Sequence, residues 1–68
     1  MTGNGDSRDE YRHGYQMGYD YCAIEGGARM WVYAELKRRG IPSRTSCGVG
    51  FVAGAKDASD GKGRKYRD

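Results

Sequence analysis

The sequence predicts an all-α protein of two or three short helices that pack together through faces lined by glycine. Glycines recur four residues apart at Gly14 and Gly18, and again at Gly50 and Gly54. Apolar residues follow the helical period, in which every third or fourth position shares a face. The single proline, Pro42, lies just after a predicted helix end. Glycine at this spacing lets two helices approach closely, because no Cβ atom separates their backbones.

The length of 68 residues allows one domain at most. We predict a helical domain over 7–59, a disordered leader over 1–6 and a flexible basic tail over 60–68. Aliphatic residues are few, so the core must be built largely from tyrosine, Trp31, Phe51, methionine and alanine. The Ile, Leu and Val residues are Ile24, Val32, Leu36, Ile41, Val49 and Val52. So small a core would gain from self-association, and a homodimer is one expectation.

The first helix is predicted over 8–25. Ser7 and Glu10 have the spacing of a capping box at its start, and the pair Gly26-Gly27 is expected to end it. Six positions of this helix recur on one face: Tyr11, Gly14, Tyr15, Gly18, Tyr19 and Cys22. We call the three tyrosines of this face the tyrosine ladder.

The second helix is predicted over 28–39. Ala28, Val32 and Leu36 form an apolar stripe four residues apart, and Trp31 lies beside it. The helix has further apolar residues outside this stripe, which indicates contact with a partner or with both other segments.

A strong stop signal follows the second helix. Gly40 suits the left-handed position after a helix, Ile41 can fold back on Leu36, and Pro42 cannot continue the helix. Three cations of the last turn suit the negative end of the helix dipole: Lys37, Arg38 and Arg39.

The segment 47–59 is compatible with a helix or with a strand in a hairpin. Its three glycines within seven residues weaken both, each costing about 0.5–1 kcal/mol relative to alanine. We favour the helix, because the polar end of the segment is poor strand material. Thr45 or Ser46 is expected to cap it.

The tyrosine ladder is the most unusual feature of the sequence. It predicts either a stacking platform for bases and partners or simply the core of a protein poor in aliphatic residues. Tyr21 lies off the ladder face, so we expect it to be the exposed tyrosine of the first helix. Together with Trp31 it is a candidate aromatic anchor for a partner.

The basic residues are the second candidate site. The chain carries 12 basic and 9 acidic residues, a net charge of +3, and becomes more basic toward its end. Six cations are candidate contacts to phosphate: Arg38, Arg39, Arg44, Arg64, Lys65 and Arg67. The alternative is that they serve the helix end and solubilise the tail.

Catalysis is not expected. Cys22 and the single histidine, His13, fall on different sides of one helix, and a zinc site would need four suitably spaced ligands. The glycine pair at Gly48 and Gly50 lacks the residues of a phosphate loop. We therefore predict no catalytic residue, no metal, no cofactor and no small-molecule substrate. Cys22 and Cys47 are expected to be free thiols in a reducing compartment.

A membrane role is not expected either. Residues 1–10 are polar and acidic where a secretory signal would need a basic start and an apolar stretch. No apolar run approaches the roughly 18 residues of a spanning helix. We therefore expect a cytoplasmic protein without a membrane partner.

Two short stretches resemble ribosome modulation factor, a small bacterial protein of two helices. The first is GYQMG at 14–18, and the second is FVAGAKDA at 51–58. The resemblance implies paired helices, ribosome binding, and silencing of ribosomes through inactive pairs. The segment 28–44 has no counterpart in a two-helix member, and Ala55 stands where the family has a second aromatic residue. The glycine-rich and tyrosine-rich composition also resembles small bacteriophage proteins that block host complexes.

Together these features predict a non-enzymatic binding protein that docks on a large host assembly and modulates or inhibits it. One class of target contains RNA, as the ribosome does. The alternative is a phage-type inhibitor of a host defence or enzyme complex, for example an anti-CRISPR protein, that acts through a protein interface. A third class is a dimeric regulatory module that binds no nucleic acid.

Overall fold

The computed structural model describes residues 3–66. They form three α-helices: α1 at Gly3–Ala23, α2 at Val32–Arg39 and α3 at Ser46–Ser59. A short 3₁₀ turn at Arg29–Trp31 leads into α2. No strand occurs among these residues, so the predicted all-α class is confirmed and 47–59 is a helix rather than a hairpin.

Helix α1 begins earlier than the sequence predicts. It starts at Gly3, so Ser7 lies inside the helix and not at its N-cap, and residues 3–6 of the expected leader are helical. Extending a helix that is already formed costs much less than nucleating one, which is why weak helix formers can join it. Met1 and Thr2 lie outside the described residues. The helix also ends earlier, at Ala23, and Gly26 adopts the left-handed conformation with φ of 77°.

The second predicted helix is shorter than expected at its start. Ala28 is extended, and α2 proper begins only at Val32 after the 3₁₀ turn. Its predicted end is confirmed. Gly40 is left-handed with φ of 76°, and the Ile41 N–H donates to the Leu36 carbonyl at 2.9 Å. This is the hydrogen bond of a Schellman stop.

Helix α3 begins at a well-formed cap. The Thr45 hydroxyl accepts a hydrogen bond from the backbone N–H of Gly48 at 3.1 Å. Of the two predicted cap residues, Thr45 is therefore the one used, because its extended backbone directs the hydroxyl at the first turn.

Helices α1 and α3 pack side by side and run in the same direction. Gly14 faces Cys47, and one turn later Gly18 faces Phe51, so residue numbers rise together along both helices. Parallel neighbours need a connection that returns to the starting end. The segment containing α2 makes that return.

At the contact between α1 and α3, the glycines of each helix pack directly against backbone atoms of the other helix. A Cβ atom added at Gly14 would lie 2.0 Å from the Cys47 carbonyl oxygen, and one at Gly18 would lie 1.9 Å from that of Phe51. In the other direction, a Cβ at Gly50 would lie 2.1 Å from the Tyr11 oxygen, and one at Gly54 2.0 Å from the Tyr15 oxygen. Any side chain at these positions would therefore force the helices apart. The predicted packing through glycine faces is confirmed.

These four contacts are related by a local two-fold pattern. Each glycine meets the carbonyl of the residue three positions before its counterpart: Gly14 meets Cys47, and Gly50 meets Tyr11. The same relation links Gly18 and Gly54. The helix pair is thus nearly symmetric at its contact, in keeping with the equal four-residue spacing of glycines in the two helices.

The core is small and partly aromatic. Its fully or nearly fully buried apolar residues are Tyr15, Tyr21, Val32, Leu36, Phe51 and Ala55. The expectation that Tyr21 is exposed is wrong, since only 8% of it is accessible. Its ring packs 5.7 Å from that of Phe51 and covers Gly27 after the chain turns back beyond α1. The chain turns at Gly26 and then passes over this ring. A helical wheel of α1 does not include that turn, so it does not predict the burial of Tyr21.

Candidate docking surface

The tyrosine ladder is largely internal, as the core interpretation expects. Tyr15 is fully buried, and Tyr11 and Tyr19 are half-buried. Tyr66 closes the ladder from outside. Its ring lies edge-on to Tyr15 at 5.1 Å and to Tyr11 at 5.9 Å. The ladder is therefore a packing surface covered by the chain's own tail and not an open platform.

The tail is held against α1 through several further contacts. Arg64 pairs with Asp20 at 2.5 Å, and its guanidinium lies 4.6 Å from the centre of the Tyr19 ring. The Tyr19 hydroxyl donates to the Lys62 carbonyl. Residues 62–66 of the tail predicted over 60–68 therefore lie against α1, where tyrosine hydroxyls and rings supply partners for the backbone and cations of the tail.

Tyr15 joins the tail to both helices. Its hydroxyl donates to Asp57 Oδ2 at 2.5 Å and accepts from the Lys65 N–H at 3.0 Å. Burial, together with the hydrogen bond to the Asp57 carboxylate, raises the pKa of Tyr15 to about 12. The phenol is therefore held in its neutral form at neutral pH.

Stability is expected to fall as pH rises from about 10 to 12. The folded-state pKa of Tyr15 lies above the ordinary value of 10.0, so the unfolded chain loses this proton first and is favoured in that interval. Unfolding by urea at a series of alkaline pH values measures the effect. Tyr15→Phe cannot ionise and should show a flatter profile there. Equal slopes for the two proteins would show that the phenol is not held by the fold.

Two of the six cations predicted to contact phosphate, Arg38 and Arg39, form ion pairs with carboxylates. Arg38 makes a two-point contact with Glu35, through Nε at 3.0 Å and Nη2 at 2.6 Å. Arg39 pairs with Glu35 at 2.6 Å and with Glu25 at 3.3 Å, and its guanidinium lies 5.1 Å from the centre of the Phe51 ring. The hydrogen bonds from Arg38 and Arg39 lower the pKa of Glu35 to about 2. Two of the six predicted phosphate contacts are thus already matched by carboxylates.

The other predicted cations differ in their surroundings. Arg44 is exposed and makes no ion pair with a described residue. Lys65 is exposed, with its ammonium 6.0 Å from the centre of the Tyr66 ring. Arg64 is occupied by Asp20. Arg67 lies outside the described residues.

The sequence analysis did not predict the carboxylates that form ion pairs with Arg38, Arg39 and Arg64. Glu35 could have been found, because it precedes Arg38 and Arg39 by three and four residues, the spacing of neighbours on a helix. Glu25 and Asp20 could not, since they meet their arginines across 14 and 44 residues of chain. Tyr66 was missed too, although an aromatic residue in a polar tail is itself a signal of anchoring.

Large apolar side chains remain exposed around the start of α2. Trp31 and Tyr33 are each 61% accessible, and Met30 is 79% accessible. The expectation that Trp31 belongs to the core is therefore wrong, because its ring is left exposed at the 3₁₀ turn, although a partner anchor would need this exposure. Single exposed apolar residues are common, but three within four consecutive positions form a candidate contact surface. We call Met30, Trp31 and Tyr33 the aromatic edge.

A cleft beside α1 is lined by His13 and Cys47, and Cys22 is not among its lining residues. It measures about 680 Å³, and its lining includes Glu10, His13 and Cys47. Both cysteines are free thiols. Burial, with a smaller contribution from the Glu10 charge, raises the pKa of Cys47, which disfavours the thiolate that a nucleophile needs. Burial also raises the pKa of Cys22.

Comparisons with known proteins leave the family open: no protein-family model, no curated protein and no solved structure matches the chain. Within 3–66, no helix is long and apolar enough to cross a membrane. The same residues contain no group of three or more side chains that could hold a metal ion.

Proposed function

We propose that this chain is a non-enzymatic binding protein that docks on a large RNA-containing host assembly and modulates it, with the bacterial ribosome as the favoured assembly. One observation carries the proposal. The two stretches that resemble ribosome modulation factor, 14–18 and 51–58, lie against each other in one helix pair. Gly18 of the first packs on the carbonyl of Phe51 in the second. Stretches separated along the chain therefore act as one structural unit, which supports interpreting them together.

The distribution of unpaired charge supports an RNA partner. Among the described residues, exposed cations without a carboxylate partner are Arg8, Arg12, Lys37, Arg44, Lys56, Lys62 and Lys65. Among residues 8–66, the acidic residues without a cation partner are Asp9, Glu10 and Asp57. These residues therefore carry more unpaired positive than negative charge, and phosphate contacts would draw on it.

The affinity for purified ribosomes should depend steeply on salt. We expect Lys37→Ala with Arg44→Ala to reduce the slope of log affinity against log salt by up to about 2, roughly one for each phosphate that is no longer bound. Co-sedimentation of the labelled chain with ribosomes at several salt concentrations measures this slope. A control with Arg29→Ala and Asp60→Ala removes a cation together with its carboxylate partner, so its slope should stay near that of the wild type.

A protein-directed inhibitor is the second candidate, and the aromatic edge favours it. Exposed tryptophan and tyrosine are the residues that most often anchor protein interfaces. Trp31→Ala distinguishes the candidates, because Trp31 is 61% exposed and its removal should not unfold the chain. If this variant abolishes binding while the double cation variant binds normally, the partner is a protein and the RNA proposal is wrong.

A further inference from the structure

A groove lies where the chain leaves α2 and turns toward α3. It has a volume of about 380 Å³ and is lined by Tyr33, Leu36, Lys37, Gly40, Ile41, Pro42 and Ser43. Its floor is apolar: Leu36 is buried and Ile41 is half-buried. Tyr33, from the aromatic edge, forms an exposed wall.

Backbone hydrogen bonds shape the groove in advance of any partner. The Ile41 N–H, bonded to the Leu36 carbonyl at 2.9 Å, folds the chain back over the end of α2. The Pro42 carbonyl accepts from the Thr45 hydroxyl at 2.7 Å and from the Thr45 N–H at 3.2 Å. A Cβ at Gly48 would lie 2.2 Å from the same carbonyl, so the start of α3 is packed tightly on this turn. Because these hydrogen bonds already hold the groove in shape, the groove loses little conformational entropy when it binds a partner.

The charged side chains at the groove are positive. Lys37 is its only charged lining residue, and it makes no ion pair with a described residue. Arg44 follows the lining residue Ser43 directly and is also exposed and unpaired. The nearby carboxylate of Glu35 is not in the lining and is already held by arginines. The apolar floor therefore has a positive rim.

We propose that this groove binds an apolar segment of a partner protein that carries carboxylates beside its apolar anchor. The apolar floor of Leu36 and Ile41 favours a hydrophobic side chain over phosphate, and the rim favours neighbouring acids. A second copy fits less well, because a two-fold contact through the groove would bring Lys37 and Arg44 of both copies together. The site goes beyond the proposed function, since it needs no RNA.

The test uses the full chain, labelled with ¹⁵N, and two short synthetic peptides. Both have a Leu-Phe centre; one has flanking glutamates and the other has flanking lysines. We expect the glutamate peptide to shift the amide signals of Tyr33, Lys37 and Ile41, and to bind at least about tenfold more tightly than the lysine peptide. Because ribosomes are absent, this result is independent of the salt experiment.

Charge variants make the test specific to the groove. Lys37→Glu should reverse the preference between the two peptides. Lys56→Glu makes the same change of charge on α3 outside the lining, and it should preserve the preference. Tyr33→Asp should abolish glutamate-peptide binding without unfolding, because Tyr33 is 61% exposed.

Four outcomes would overturn the proposal. The first is equal binding of the two peptides, or binding of neither. The second is a set of signal shifts outside the groove. The third is a short uridine oligonucleotide that shifts the signals of Tyr33 and Ile41 as strongly as the glutamate peptide does, since shifts confined to Lys37 and Arg44 are those expected from phosphate contacts alone. The fourth is a dimer in sedimentation that Tyr33→Asp converts to a monomer, which would make a second copy the occupant.

Discussion

Gly18→Ala is expected to destabilise the protein by about 2 kcal/mol and to lower its melting temperature by about 10 °C. The added Cβ would lie 1.9 Å from the Phe51 carbonyl oxygen and 2.8 Å from the Phe51 Cα. Both are backbone atoms, so no change of rotamer relieves the clash and the helices must separate. Overpacking of this kind costs about 3 kcal/mol, and the better helix propensity of alanine returns about 1.

Thermal unfolding followed by circular dichroism measures this destabilisation. Gly63→Ala is the matched control, because a Cβ there meets nothing within 4 Å and its φ is not in the left-handed range. We expect that variant to melt within about 2–3 °C of the wild type. If Gly18→Ala also melts like the wild type, the glycine face of α1 is open and the tyrosine ladder becomes the better candidate for a binding surface.

Phe51→Ala is expected to cost about 3–5 kcal/mol, the range for removing a buried aromatic ring. The Phe51 side chain is fully buried, with the Tyr21 ring at 5.7 Å and the Arg39 guanidinium at 5.1 Å from the ring centre. A domain of this size has a total stability of only about 3–10 kcal/mol. The variant should therefore be largely unfolded or close to it at 25 °C.

Helical circular dichroism and urea unfolding give the result for Phe51→Ala. Val49→Ala serves as its control, since Val49 lies two residues earlier on α3 and is 47% exposed. Its stability should change by no more than about 0.5 kcal/mol. A Phe51→Ala protein that keeps its wild-type urea midpoint would contradict the core described above.

The parts of the fold that the sequence predicts well are those with a local physical cause. The end of α2 depends on Gly40 and Ile41, whose conformation and hydrogen bond are set within one turn. The cap at Thr45 is equally local. The glycine faces could be predicted because their four-residue spacing has one simple structural use, close helix approach.

The parts that the sequence does not predict depend on contacts between distant segments. Tyr21 is buried because the chain beyond Gly26 folds over it, and Tyr66 finds the ladder only once α1 and α3 are packed. The direction of the helix pair is likewise a tertiary property. Spacing alone allows parallel or antiparallel packing, whereas the contacts of Gly14 and Gly18 fix it as parallel.

At the candidate site, too, the sequence predicts features with a local cause and does not predict those that depend on contacts between distant segments. Trp31 is expected from the sequence both in the core and as a partner anchor, and its exposure depends on how the segment before α2 packs, which local spacing does not specify. Whether a cation is free to bind phosphate depends on which carboxylates form ion pairs with it. Arg39 is held partly by Glu25, which belongs to the turn after α1, and Arg64 is held by Asp20 within α1. Arg44 therefore stays an expected phosphate contact, and Lys37 is added in place of the paired arginines.

The small side chain at position 55 also has a structural meaning. Ala55 is fully buried in the core beside Phe51, and the Tyr21 ring packs in the same cluster. A large aromatic residue at 55 would compete with Tyr21 for space, so alanine there leaves room for Tyr21 to turn inward.

The most direct test of the proposed function is whether the chain sediments with purified bacterial ribosomes at low salt. We predict that labelled wild-type protein moves with the ribosomal fraction, is released as salt rises, and is released less readily than the variant with Lys37→Ala and Arg44→Ala. A folded wild-type protein that stays at the top of the gradient at every salt concentration would contradict the proposed ribosome docking.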